Sequence, residues 1–110
     1  MTHQPYQSCI DACLACIAAC QHCAASCLRE PEVGHMALCI QLDMECSAVC
    51  EAAVKLMSLG SNHANAICQI CADVCNACGD ECAKHQHDHC QACAAACRRC
   101  ADECSKMIAA

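Results

Sequence analysis

The sequence has few of the side chains that usually fill a protein core. Of its 110 residues only Tyr6 is aromatic, and Ile, Leu and Val together number 16. This share of large apolar residues is below the level of chains that bury an ordinary core. The abundant apolar types are cysteine, with 19 residues, and alanine, with 22. Either cysteine fills the core or the chain folds around something that cysteine binds, and free cysteine packs well enough for both to hold.

Basic residues are also scarce, and this excludes one class of partner. Six Lys and Arg stand against twelve Asp and Glu, which gives a net charge of −6. A protein that binds nucleic acid needs basic side chains for phosphates and usually aromatic rings for bases. We therefore expect no nucleic-acid partner.

Long apolar runs and an export signal are missing from the pattern as well. No apolar run approaches the roughly 18 residues of a membrane span, so we expect no membrane partner. Residues 1–7 have no basic stretch followed by an apolar one, so we expect a cytoplasmic protein. Disulfides are disfavoured in that compartment, and an odd cysteine count does not form a closed set of pairs.

The cysteines that are present follow a regular spacing in four groups. The groups are Cys9, Cys13, Cys16, Cys20, Cys23 and Cys27; then Cys39, Cys46 and Cys50; then Cys68, Cys71, Cys75, Cys78 and Cys82; then Cys90, Cys93, Cys97, Cys100 and Cys104. In the first, third and fourth groups the steps alternate between three and four residues. This alternation is typical of a helix that buries one seam, so cysteine is predicted to line the buried side.

Helix-breaking segments separate the groups. They are Pro31 to Gly34, Gly60 to Asn62, and the polar run 84–89. We predict four helices, over about 4–28, 32–58, 62–84 and 87–107, with Ser61 or Asn62 capping the third and Asp88 the fourth. Short connections make consecutive helices antiparallel. The predicted fold is all-α, an antiparallel up-down-up-down four-helix bundle with a cysteine-lined core, as a single domain over 1–110.

Such a core favours soft metal ions. Thiols at positions i and i+3 or i+4 lie about 5–6 Å apart at Cβ, which suits metal ligation better than a disulfide. Thiolates prefer Cu(I), Zn(II) or iron–sulfur clusters. About four Zn(II) sites of four thiolates would each bury two negative charges. One Cu(I) per thiolate cancels the charge instead, and buried uncompensated charge is costly. The sequence therefore favours multiple Cu(I) ions per chain.

The two ends of this bundle differ in composition. The histidine end, at the connections 28–35 and 84–89, collects His35, Met36, His85, His87 and His89. The plug end, at the termini and the connection 57–62, collects the apolar residues Tyr6, Leu56, Met57, Leu59, Met107 and Ile108. We predict that metal enters at the histidine end, where imidazole passes it to the thiolates. His35 and Met36 stay outside the predicted ligand set.

Three further features have structural interpretations. Asp43 lies near the sparse second group, and we expect it on a solvated face rather than in a gap beside the metals. Gly79, inside the third helix, is expected at a close contact between helices. Aliphatic residues beside the cysteine seams, such as Leu14, Leu38 and Ile70, are expected to seal the bundle or to form a contact between copies of the chain.

The in-register seams, together with the run His85 to Cys90, resemble those of the bacterial four-helix-bundle copper storage proteins, in their cytosolic branch. The resemblance covers nearly the whole chain. It implies a homotetramer of bundles that store or sequester many Cu(I) ions. It also implies that all 19 cysteines are metal ligands, with His85, His87 and His89 as entry ligands.

These observations predict a cytosolic copper store that is not an enzyme. No Ser/His/Asp or paired-carboxylate pattern indicates hydrolytic catalysis. The alternative is a metallothionein-like Zn/Cd buffering protein, which would bind fewer ions and fold only around its metal. The expected partners are copper ions and copies of the chain, and the sequence indicates no donor or acceptor protein.

Overall fold

The computed structural model describes residues 6–109. Its helices are α1 (Gln7–Cys27), α2 (Ala37–Ser58), α3 (Ala64–Ala83) and α4 (Asp88–Ala109), and a 3₁₀ turn, Val33–Met36, precedes α2. Each helix packs against two neighbours, in the order α1, α2, α3, α4 and back to α1. The connections are short and the molecule measures 50 × 22 × 17 Å. The predicted antiparallel four-helix bundle is confirmed.

The helix bounds differ from the predicted ones at the connections. Positions 4 and 5 of the predicted first helix lie outside the described residues. The predicted start of the second helix at 32 was wrong, because residues 33–36 form the 3₁₀ turn and α2 begins at Ala37. Gly34 within this turn disfavours a regular α-helix. The turn carries Met36 into the core, where its side chain is 3 % exposed.

The end of α2 is set by Gly60, whose φ is +65°. Its N–H donates to the Met57 carbonyl at 3.1 Å, and the Ser61 N–H donates to the Leu56 carbonyl at 3.0 Å. This pair of bonds is the Schellman motif, which needs a left-handed residue and so favours glycine. The chain can then turn directly into α3, which begins at Ala64.

The predicted caps are only partly in place. Ser61 Oγ accepts the N–H of His63 at 3.0 Å, just before α3 rather than within its first turn. Asp88 lies in the first turn of α4, where its negative charge interacts favourably with the helix dipole.

Gly79 lies where α3 and α4 approach closely. A Cβ at this position would lie 3.4 Å from the Cβ of Cys97 and 3.5 Å from Cγ of Arg98. The predicted close contact between helices is confirmed.

The composition of α1 is unusually apolar. Over an 18-residue window its mean hydropathy is 1.4, so by length and composition alone it is long and apolar enough to cross a membrane. The expectation that no segment would reach this level was wrong for α1. Core helices of bundles pass the same test, and the cysteine side of α1 is buried against α2 and α4.

Candidate metal centre

A continuous column of thiols runs along the axis of the bundle. Every cysteine is free and buried, and each is at most 1 % exposed. Neighbouring Sγ atoms from different helices lie 3.3 Å apart for Cys46 and Cys75, and 3.4 Å apart for Cys39 and Cys82. The alternating three- and four-residue steps place all these side chains on the inner face of their helices. The predicted cysteine-lined core is confirmed.

The thiols form overlapping groups of four that suit soft metal ions. Within each group the four Sγ atoms all lie within 4.8 Å of one another. Five of these groups are Cys13, Cys71, Cys100 and Cys104; Cys16, Cys46, Cys50 and Cys75; Cys16, Cys20, Cys46 and Cys97; Cys20, Cys78, Cys93 and Cys97; and Cys23, Cys27, Cys39 and Cys90. Because groups share members, a thiolate of one site can bridge to the next.

Burial favours the protonated form of two thiols at the histidine end, those of Cys27 and Cys90. Removal from water raises the pKa of Cys90 to about 11 and also raises the pKa of Cys27. A thiolate needs a compensating cation in such surroundings. Each bound metal ion therefore displaces protons from the column, and binding depends on pH.

Asp43 lies inside the thiol column, and the expectation of a solvated face was wrong. Its side chain is 0 % exposed. Its Oδ1 lies 3.2 Å from Sγ of Cys78 and 3.2 Å from Sγ of Cys93, and the pKa of the carboxyl rises to about 10, mainly because of burial. Hydrogen bonds from thiols satisfy this oxygen, so the carboxyl can remain in the core.

The sequence did contain a signal for Asp43. Apart from Ser47, which is 6 % exposed, the buried positions of the segment that includes α2 have steps that alternate between three and four: Met36, Cys39, Asp43, Cys46, Cys50, Ala53 and Met57. The second seam is therefore as regular as the others. It was missed because only its cysteines were counted.

The three predicted entry histidines have different surroundings. His89 lies over the first thiols, with its Nδ1 3.5 Å from Sγ of Cys90, 3.6 Å from Cys23 and 3.8 Å from Cys27. The rings of His87 and His89 are stacked, with centroids 5.2 Å apart. His85 is turned toward Glu81, with its Nε2 2.9 Å from Oε2.

Acidic side chains accompany each of these histidines. Glu30 Oε2 lies 2.8 Å from Nε2 of His89 and 3.4 Å from Nδ1 of His87. The hydrogen bond from His89 holds the pKa of the Glu30 carboxyl below its usual range. An opening of about 360 Å³ lies beside them, lined by Glu30, Pro31, Glu32, His35, Met36, His85 and His87. Its acidic groups favour the approach of cations.

The opposite end is closed by apolar packing. Met57 is 1 % exposed, and the Cys68 thiol lies 3.8 Å from its Sδ. Tyr6, Met107 and Ile108 pack against the core from outside. Leu59 was wrongly placed in the plug, since it is 79 % exposed at the turn after α2.

Comparison with known proteins identifies the family. The family model described as copper storage protein, Csp, matches residues 2–109. A cysteine-rich protein of Bacillus subtilis, YhjQ, is 52 % identical over 83 residues, which cover 76 % of this chain and 77 % of the relative.

Solved structures agree with this match. The Cu(I)-bound copper storage protein BsCsp3 is 51 % identical, with a TM-score of 0.90 over 93 % of this chain and 96 % of that chain. A cytosolic copper storage protein of Streptomyces lividans, with five coppers, is 44 % identical, with a TM-score of 0.93 over 96 % of this chain and 92 % of that chain. On the full-length family match and these relatives, the chain belongs to the copper storage protein family.

Proposed function

We propose that this protein stores Cu(I) in the cytosol by binding many ions to the thiolates of its core. The observation that carries the proposal is the continuous column of 19 buried, unpaired cysteines whose neighbouring sulfurs approach to 3.3–4.0 Å. Relatives with the same fold are described as Cu(I)-bound and as loaded with 10 copper equivalents. Storage requires only coordination and release, so the proposal includes no catalytic reaction.

The charge of the column favours Cu(I) over divalent ions. Two or three thiolates suffice for one Cu(I), and bridging thiolates allow one ion per sulfur. At that ratio each thiolate is neutralised within a core that excludes water. Zn(II) or Cd(II) in sites of four thiolates would leave two negative charges on every site. A Zn/Cd buffering role is therefore disfavoured.

The surroundings of the column favour entry at the histidine end. We propose that all 19 cysteines are ligands and that His85, His87 and His89 receive the incoming ion. His89 is the histidine in contact with thiols of both α1 and α4, through Cys23, Cys27 and Cys90. His85 and His87 line the opening beside it. Met57 and its neighbours block the other end.

We also propose that the chain assembles as a homotetramer. Several large apolar side chains are at least half exposed, namely Leu14, Leu28, Leu38, Met44 and Ile70. Others from the same stripes, such as Ile17, Leu42 and Val74, pack against the core and seal the bundle. Exposed apolar patches usually mark interfaces. Light scattering at several concentrations tests this, and a monomer at all of them would contradict it.

An anaerobic titration of the reduced protein with Cu(I) tests the storage function. A chromophoric Cu(I) chelator is present as competitor, so colour appears only when the stronger protein sites are filled. We expect well over about ten ions per chain before colour develops, because bridging thiolates allow up to one ion per sulfur. Saturation at about four or fewer would contradict the proposal and point to sites of four thiolates.

A further inference from the structure

Glu30 reaches from the connection after α1 to the start of α4. Its backbone N–H donates to the Cys27 carbonyl at 3.2 Å, which ties Glu30 to the last turn of α1. Its side chain is 23 % exposed and lies against the imidazole of His89, which is 13 % exposed. A single carboxylate therefore joins two elements that are 59 residues apart in the sequence.

The two ring nitrogens of His89 face different groups. Nε2 lies 2.8 Å from Oε2 of Glu30, whereas Nδ1 lies 3.5 Å from Sγ of Cys90. An ionised carboxylate can only accept a hydrogen bond. The proton of the neutral ring must then be on Nε2, which leaves the lone pair of Nδ1 free and directed at the thiols.

We propose that Glu30 is a positioning residue that holds His89 as an Nδ1 ligand for the first Cu(I) ions to enter. The proposal rests on the proposed function, because it assumes that copper is the ion that enters. Carboxylates that orient a metal-binding histidine in this way also raise its basicity. Glu30 has a second contact that steadies it, since its Oε2 lies 3.4 Å from Nδ1 of the stacked His87.

Glu32 provides a matched control at the same end. Its carboxylate lies 3.3 Å from Nδ1 of His35, and both side chains are more than three-quarters exposed. Glu32→Gln removes the same charge from the same opening as Glu30→Gln and leaves His89 untouched. Any effect of net charge on the approach of copper should appear in both variants.

The first test measures the tautomer of His89 in the reduced, metal-free protein. Long-range ¹H–¹⁵N correlation spectra of histidine-labelled protein distinguish a ring protonated at Nε2 from one protonated at Nδ1. We expect the Nε2–H form in the wild type and in Glu32→Gln. In Glu30→Gln, whose amide can donate as well as accept, we expect a mixture. A pure Nε2–H form in Glu30→Gln would overturn the proposal.

The second test measures the rate at which the first Cu(I) equivalents are taken up from a chelator. Loss of the residue that orients a metal ligand typically lowers metal affinity or activity by about tenfold to a hundredfold. We therefore expect Glu30→Gln to take up the first Cu(I) equivalents at least about tenfold more slowly. Glu32→Gln should stay within about twofold. Equal slowing of both variants, or no slowing, would overturn the proposal. The tautomer is measured without copper, and the total number of Cu(I) ions bound is measured in a separate titration. A failure of the proposed storage function can therefore be distinguished from a failure of the role proposed for Glu30.

Discussion

The two ends of the bundle are built from the same four helices but have opposite chemistry. At the plug end α2 turns into α3 through a glycine-terminated Schellman motif, and Met57 fills the axis. At the histidine end the connections are more polar and carry His85, His87 and His89 together with Glu30. The seams supply thiols along the whole axis. The proposed entry at one end therefore depends on the residues at the helix ends and not on the seams.

Asp43 marks the point where the two regions meet. Its Oδ1 contacts thiols of α3 and α4, through Cys78, Cys82 and Cys93. Toward the histidine end lie Cys23, Cys27, Cys39 and Cys90, which share a group with sulfurs close enough for one metal. On the other side the column consists of thiols as far as Met57. On the proposed route, the carboxyl is therefore the first oxygen ligand that an ion meets after the imidazole and the outer thiols.

Removal of the plug should produce the largest effect. Met57 is fully buried, and truncation of a buried methionine to alanine costs about 2–5 kcal/mol. We expect Met57→Ala to lower the free energy of unfolding of the reduced, metal-free protein by this amount, measured by urea denaturation. Leu59→Ala, at an exposed position of the same turn, should change it by less than about 0.5 kcal/mol. Equal effects of the two variants would show that Met57 does not close the column.

Removal of His89, the histidine that contacts the thiols, should produce the second-largest effect. We expect His89→Ala to slow uptake of the first Cu(I) equivalents by about tenfold to a hundredfold, or about 1.4–2.7 kcal/mol in activation free energy. The helical circular dichroism should not change, because the ring lies at the end of the core. Met107→Ala, at the plug end, serves as control in the same stopped-flow experiment. A slower rate for Met107→Ala than for His89→Ala would place entry at the other end.

The carboxyl between the two regions should make stability depend on pH. Burial raises the pKa of Asp43 to about 10 from its ordinary value of 3.8, so the folded protein retains a proton that the unfolded chain releases. The folded state binds more protons between these values, so stability falls as the pH rises. From about pH 6 to about pH 7 we expect a loss of at most about 1.4 kcal/mol in the metal-free protein.

Asp43→Asn should remove the contribution of this carboxyl to the dependence of stability on pH. The thiols around it, of Cys39, Cys78, Cys82 and Cys93, are the same in both proteins and so serve as an internal control. Urea denaturation at several pH values under reducing conditions measures the difference. Parallel stability curves for the wild type and Asp43→Asn would mean that the carboxyl is already ionised in the folded protein.

The smallest effect is expected at His35. Its imidazole pairs with Glu32 on the surface, and both side chains are more than three-quarters exposed. Exposed ion pairs of this kind contribute little free energy. We therefore expect His35→Ala to change the rate of Cu(I) loading by less than about twofold. A tenfold decrease would instead place His35 among the residues that receive copper.

The fold could be predicted because the cysteine spacing encodes it directly. Alternating steps of three and four residues define a buried helix face, and Gly60 and the polar run 84–89 interrupt it. The 3₁₀ turn 33–36 was not predicted: Gly34 disfavours a regular helix there, but the packing of Met36 that fixes the turn is not visible in the sequence. Leu59 was misplaced for a related reason, since the direction of a turn residue depends on the geometry of the turn.

The site was predictable where it lies on helices and less so where it lies on connections. The burial of Asp43 could have been predicted, because it continues the seam of α2, although a carboxylate is normally expected in solvent. The position of Glu30 could not, because its contact with His89 joins the connection after α1 to the start of α4, far apart in sequence. The spacing that places thiols on one face has no counterpart in the connections.

The most direct test of the account is anomalous diffraction at the copper edge from crystals of this protein loaded with a few Cu(I) equivalents. The account predicts that the first copper peaks lie between His89 and the thiols of Cys23, Cys27 and Cys90, on the outer side of Asp43. First occupancy beside Cys9, Cys68 and Cys104 at the plug end would contradict it.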